Sequence, residues 1–411
     1  MPAVQAGVQG GAGRDDPAGA QTEVEYVHER SPIRAMNIRI VTDMEEFQSL
    51  QEDWERLELQ DPDATYYSTF QFNYFWWKTH SKDPSKRLFI VCCLLDNRIV
   101  GIAPLMIRRD RSKLFSCSTL CFIGQGDYFT FLLQRGSGSE LKILKELFGS
   151  IHANDSLWDK FELTHLTQES QLLHYLLRHE QYNEHVQYLT SCPVIPIREH
   201  ETYERLSQTK DFIKMKKTRD KLRKQVNYRF RVVTGQQNAE IYDRVARVHL
   251  LLKEYLQSEK GRSERRSLFE NQYTDEFLRR LFQNNDQVVV FLLEDEHGEI
   301  INYSICYLYK DILYDWNSGY APEYSSFHGL ANVLMVETLE HLFKEKLGKR
   351  LDCGAGSYAW KFKWTSRFNV NYTFKMWNLL KARGRLYRFL SGFKTMLQTA
   401  FIMTGMIEIM L

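Results

Sequence analysis

The chain has 411 residues, with 54 Lys plus Arg against 52 Asp plus Glu, and 13% of it is aromatic. Charge this balanced excludes a protein-wide surface for polyanions, and the length allows two or three cores. Seven cysteines, among them the neighbours Cys92 and Cys93 and the pair Cys117 and Cys121, complete no zinc-ligand pattern, so no metal is expected and the thiols fit a reducing compartment.

Residues 1–36 are rich in Gly, Ala, Gln and charge, too poor in bulky apolar side chains to order themselves, and are read as a disordered tail. They lack the basic start and apolar run of a secretory signal, and no apolar run nears the roughly 20 residues of a membrane span. A cytoplasmic protein, peripheral to a membrane at most, is expected.

Asp43 caps a helix that carries Phe47, Leu50, Trp54 and Leu57 at helical spacing, and an aromatic helix follows over 70–79. Residues 88–109 form two strands about an Asp96-Asn97 turn. A strand pair near 120–133, a helix over 140–151, a strand over 161–166, a helix over 171–179 and a last strand pair complete a mixed α/β domain, residues 37–197.

The segment from Thr202 to Arg231 is a basic helix leading into a strand. Its Lys214, Lys216, Lys217, Arg219, Lys221, Arg223 and Lys224 fall on more than one face, so they are read as solvating a linking helix. Helices over 241–257 and 274–284 precede a three-strand meander, 288–293, 301–309 and 312–318. The meander runs into DWNSGYAPEYSSFHGLANVLM, residues 315–335, and then LDCGAGSYAWKFKW, residues 351–364. This is strand, small-residue loop, helix, strand, and the strands near 315 and 352 can splay to admit a ligand. Amides at such a helix start are free and sit at the positive end of the helix dipole, so the loop suits a pyrophosphate. The second domain is residues 198–380. Both halves set a like hairpin after helices, VCCLLDNRIVGIAPLMI and VFLLEDEHGEIINYSIC, and are read as two copies of one fold.

The order of basic helix, hairpin, DWNSGY strand, HGLANVLM helix and LDCGAGSYAWKFKW resembles the CelD-type acetyltransferases of bacterial polysaccharide operons, a branch of the GNAT superfamily related to the Fem aminoacyl transferases. The resemblance covers residues 200–378. It implies two tandem GNAT-like α/β domains with mixed, partly open sheets, and acetyl-CoA or another acyl-CoA lying in the split of the second. The superfamily's phosphate loop (Arg or Gln, two residues, Gly, one residue, Gly or Ala) falls on Ser326, Gly329 and Ala331, with Leu330 and Asn332 completing the cofactor-binding amides. Ser326 stands where the superfamily has Arg or Gln. His328 stands where the family often has Pro, and Trp360-Lys361 where it often has Tyr-Lys, with Tyr358 two residues earlier.

Acyl transfer from a thioester needs a base for the nucleophile, donors for the oxyanion and a proton for the thiolate. Asp315, His328, Tyr358 and Lys361 are the types that supply them. His328 also reads as a helix-capping loop residue, Asp315 as a strand end in water and Lys361 as a solvated lysine. Tyr303, Tyr307, Tyr309 and Tyr314 are read as core and cleft wall, and Cys353 as a buried thiol.

The expected activity is acyl transfer to an amine or hydroxyl of a small-molecule or carbohydrate acceptor, a polysaccharide precursor included. Two rivals stand beside it. One is Fem-like aminoacyl transfer from charged tRNA through the basic helix, although the overall charge speaks against a nucleic-acid partner. The other is a non-catalytic binding module. Residues 381–411 carry Leu386, Phe389, Leu390, Phe393, Leu397 and Phe401 at helical spacing beside Lys381, Arg383, Arg385 and Arg388. They are read as an amphipathic helix that lies on a membrane or docks on the protein itself.

Overall fold

A computed structural model of the chain describes residues 35–111, 116–136, 138–199, 202–283 and 285–390. The expected tail, up to residue 34, and the end of the C-terminal segment, residues 391–411, lie outside the described residues.

After β1 (Met36–Val41), the Asp43 carboxylate accepts the Glu46 amide at 2.8 Å and caps α1 (Met44–Ser49), as its position predicts. Then come α2 (Gln51–Gln60) and α3 (Phe70–His80), whose aromatic rows bury Trp54, Phe70, Phe72 and Trp76. Strands β2 (Lys86–Leu88), β3 (Ile90–Leu95), β4 (Arg98–Ala103), β5 (Leu105–Arg111), β6 (Ser116–Phe122) and β7 (Leu132–Leu133) follow. Asp96 and Asn97 both take positive φ, 50° and 62°, which closes the expected tight turn between β3 and β4. The first half ends with α4 (Glu140–Ala153), β8 (Lys160–Thr167), α5 (Gln171–Arg178) and β9 (Val186–Pro196).

The second half opens with α6 (Thr202–Ser207), α7 (Lys210–Gln225), β10 (Arg229–Gly235), α8 (Asn238–Ser258) and α9 (Gln272–Phe282). The meander β11 (Asn285–Glu294), β12 (Ile300–Tyr309) and β13 (Ile312–Tyr320) leads to α10 (Leu330–Glu345), β14 (Arg350–Asp352) and β15 (Phe368–Trp377), and a last helix occupies 382–390. Strand, helices, antiparallel strands, helix and strand thus recur in one order. The fold is α/β, two tandem units of like order with mixed sheets that do not close.

Two expectations need correction. Leu120 and Leu133 do not belong to a strand pair: β6 pairs with β5 and β8, whereas β7 joins β4 in the separate four-stranded sheet β1-β3-β4-β7. Nor is there a strand pair before Ile197, because 186–196 is the single strand β9.

The larger sheet runs β10-β11-β12-β13-β14-β9-β15-β8-β6-β5-β2. The last strand among the described residues, β15, lies between β8 and β9 of the first half, antiparallel to both. In turn β9 lies between β15 and β14, so the halves share one continuous sheet.

Each half has a place where two parallel strands part. In the second, β13 and β14 pair only through Ile312–Tyr314 and Arg350–Asp352. In the first, β6 and β8 pair at Thr119 and Leu120, but the loop after β6 folds back over the gap. Phe129 bridges Leu166 there, donates its amide to the His165 carbonyl at 2.9 Å and stacks on Phe122 at 5.0 Å. The first split is plugged by its own chain and the second is open. Tyr303, Tyr307, Tyr309 and Tyr314 are buried as expected, Tyr307 stacking on Tyr66 of the first half at 4.1 Å.

Candidate active site

Past Tyr314 and Asp352 the parting strands leave a cavity of about 240 Å³ lined by Asp127, Asp315, Trp316, Cys353, Tyr358 and Lys361, among others. A smaller apolar recess continues from it between β12, β13 and the first turns of α10. It shares Asp315, Ser318 and Trp360 with the cavity and adds Ala331, Leu334 and Met335. Together they make a channel whose one end is the start of α10 and whose floor is the strand fork.

Gly354 shapes that floor. Its φ of +73° suits a residue without Cβ, and a Cβ there would stand 2.6 Å from the Asp315 carbonyl oxygen and 3.0 Å from Asp127 Oδ2. The close approach sets the Asp315 main chain and the Asp127 carboxylate, from opposite halves of the chain, beside one glycine. Asp127 Oδ2 accepts the Ala355 amide at 3.2 Å, and Asn371 of β15 holds the Asp127 carbonyl through Nδ2 at 2.6 Å. Asp315 accepts the Ser304 hydroxyl at 2.7 Å.

Lys361 is 6% exposed, on a short turn that follows the β14 glycines. Its Nζ donates to the carbonyls of Gly354 and Ala355, both at 3.0 Å, and lies 5.5 Å from the Tyr358 ring and 5.7 Å from that of Trp360. An ammonium has three protons, and two are committed to carbonyls. No carboxylate among the described residues comes within ion-pair distance of it.

Burial dominates the electrostatics. It pushes Asp315 above the ordinary carboxylate range, against the opposing pull of the Ser304 hydroxyl and Lys361, with Asp127 adding to the rise. Burial likewise raises Asp127, opposed by the Ala355 amide, His165 and Lys361. Next to them Asp352, 1% exposed, is raised to about 6 by burial, although the Tyr128 hydroxyl and the Gly354 amide, at 3.0 Å, both donate to it.

At the other end of the channel Gly329 caps α10 with φ +100°. No side chain caps this helix, and its first turn holds no acid. The amides of Asn332 and Val333 return to the Gly329 carbonyl, while those of Gly329, Leu330 and Ala331 meet no acceptor among the described residues. Free donors at a helix start are the groups that an anion accepts from.

The structure therefore gathers Asp315, Tyr358 and Lys361 around the floor, with Tyr358 at the rim, 61% exposed. It sets Gly329, Leu330, Ala331 and Asn332 on the α10 start, Ala331 lining the channel. His328 and Ser326 are exposed on the approach to α10 and line neither cavity. Sequence reasoning missed Asp127. The one signal was an acid between glycines and aromatics, GQGDYF, within an otherwise apolar stretch of the first half.

Residues 212–362 match the model of a family described as Acetyltransferase (GNAT) domain. No curated protein matches in sequence. Among solved structures, that of FemX is similar over 86% of this chain and 99% of its own, at 10% identity and TM-score 0.54. The C-terminal domain of an Agrobacterium fabrum protein designated a lysylphosphatidylglycerol synthetase is similar over 84% of this chain and 95% of its own, at 10% identity and TM-score 0.50. At these identities the likeness is one of fold. The matched region contains Asp315, Lys361 and the α10 start, and Asp127 lies outside it.

Proposed function

We propose that the chain transfers an acyl group from acyl-CoA to an amine or hydroxyl, with the open split of the second half as the site. One observation carries the reading: a buried lysine ammonium and two raised carboxylates meet at a strand fork whose channel leads to a helix start with three free amides, within a region that matches a GNAT domain.

The donor's pyrophosphate sits on the amides of Gly329, Leu330 and Ala331, and its pantetheine arm runs along Ala331, Leu334 and Met335 to the fork. Asp127 takes the proton of the acceptor's N–H or O–H as the nucleophile attacks the thioester carbonyl. Its raised pKa makes it a stronger base than an exposed carboxylate. The uncommitted proton of Lys361 faces the oxyanion, and collapse of the intermediate expels the CoA thiolate, which is protonated on release. Asp315 balances the Lys361 charge. The resemblance to CelD-type enzymes supports a sugar or polysaccharide precursor as acceptor. The use of acyl-CoA supports a cytoplasmic location, and no helix among the described residues is long and apolar enough to cross a membrane.

A second reading, aminoacyl transfer from charged tRNA, draws on the likeness to FemX and to the protein designated a lysylphosphatidylglycerol synthetase. It uses the same fork with a different donor.

The test is thermal melting with CoA, acetyl-CoA and long-chain acyl-CoA, since a ligand of the native state at a hundred times its Kd adds about 2.7 kcal/mol. Stabilisation by acyl-CoA is expected. Lys361→Met and Asp127→Asn should then lower turnover about ten- to a thousandfold while keeping that stabilisation. A folded protein that no CoA species stabilises would remove the acyl-CoA reading.

A further inference from the structure

The seven cations of α7 that the sequence spreads over several faces are sorted by the fold into two sets. Helix α7, capped by Thr209, buries Phe212, Met215, Arg219 and Leu222 against α10. On one flank Arg219 pairs with Glu340 at 2.6 Å, Lys216 with Glu340 at 3.0 Å and Arg223 with Glu337 at 2.7 Å, so each of these three is ion-paired with one of two acids of α10. Lys214, Lys217, Lys221 and Lys224 remain. They are exposed, at spacings of three, four and three residues along one face, and none has an ion pair among the described residues.

Four like charges in a row on one helix face repel each other, and the nearby acid Asp220 is already paired with Arg219. The row also has an address. Thr218, between Lys214 and Lys221 on the helix surface, packs against Gly329: its methyl would stand 3.3 Å from a Cβ at that glycine. The face of α7 that carries the unpaired lysines thus borders the start of α10, where Ser326 leaves the phosphate loop without its cation. From Lys214 to Lys221 the row rises about 10 Å, at about 1.5 Å per residue. That is longer than one diphosphate needs, and suits a donor bearing a diphosphate and a further phosphate on its ribose.

We infer that Lys214, Lys217 and Lys221 form a second phosphate-binding surface, supplied by the helix before the matched fold's first strand, that holds the diphosphate and ribose 3′-phosphate of coenzyme A in place of a cation in the loop. The inference rests on the acyl-CoA reading above and names residues that the reading does not need. Lysine ammonium groups act here as point charges on phosphate oxygens.

Calorimetric titration of the full chain with coenzyme A, dephospho-CoA and phosphate-free pantetheine tests it, at two salt concentrations. The variant Lys214→Ala/Lys217→Ala/Lys221→Ala should bind coenzyme A about ten- to a hundredfold more weakly, with a flatter salt dependence and no change toward pantetheine. Lys216→Ala, on the paired flank, should change the affinity less than twofold, and equal melting of all variants without ligand shows that the fold is intact. Unchanged coenzyme A affinity in the triple variant overturns the inference and leaves the acyl-CoA reading standing. If the wild-type chain binds no coenzyme A, both fall. Lysine-dependent binding of a tRNA acceptor-stem hairpin in that case assigns the row to RNA instead.

Discussion

Asp352 is where a single side chain couples the site to stability. Its carboxyl is raised from 3.8 to about 6 by burial, so the folded chain holds this proton more tightly than the unfolded chain does. Below about pH 4 both states are protonated and no cost arises. As pH climbs to about 6 the folded state must ionise a buried group, and stability falls by roughly 3 kcal/mol at most, two units at about 1.4 each. Asp352→Asn keeps an acceptor for Tyr128 and Gly354 and has no proton to lose. Urea unfolding at several pH values should show the variant and wild type alike near pH 4, and the variant more stable above pH 6. Parallel curves would disprove the coupling. Residues of this kind show how far sequence carries. Asp315 and Lys361 were legible because one lies within and the other follows a strand of the fork in a recognisable order, although β13 runs on to Tyr320 and Asp315 is not the strand end in water that its sequence also allowed. Asp127 was not, because Gly354 brings it to Asp315 across 188 positions (315 − 127), and no local period records that approach.

Among the elements, hairpins and helix starts were the readable ones, since Asp96-Asn97, Asp43 and Gly329 carry their turn or cap in their own chemistry. Pairing order was not readable: nothing in β15 itself states that it will lie between β8 and β9. The helix at 382–390 combines both situations. Tyr387 turns inward, its hydroxyl donating to the Ser116 carbonyl at 2.8 Å, while Leu386 and Phe389, 46% and 71% exposed, point outward beside Arg383, Arg385 and Arg388. We propose that this outward face meets an anionic lipid surface, one of the two alternatives that the amphipathic reading left open. Full-length protein should sediment with phosphatidylglycerol vesicles in a salt-sensitive way, and Leu386→Ser/Phe389→Ser should not. Equal sedimentation would return the face to docking on protein.

At the scale of the whole chain, two like units do not make two like sites. The first split is plugged by Phe129 and its loop, and that loop delivers Asp127 to the second split. One half has become a donor of walls and a carboxylate to the other. Titration should therefore give one coenzyme A per chain, and a stoichiometry of two would contradict the plugged split. The exchange of β15 also sets a schedule for synthesis. Until Phe368–Trp377 leaves the ribosome, β8 and β9 have no strand to separate and join them, so one edge of β8 and the facing edge of β9, whose other neighbour β14 also comes late, wait unpaired while the stretch from Pro196 to Phe368 is translated. At about 5–20 residues per second that interval is roughly ten to thirty seconds, long enough for chaperone capture or edge-to-edge association of neighbouring chains on a polysome.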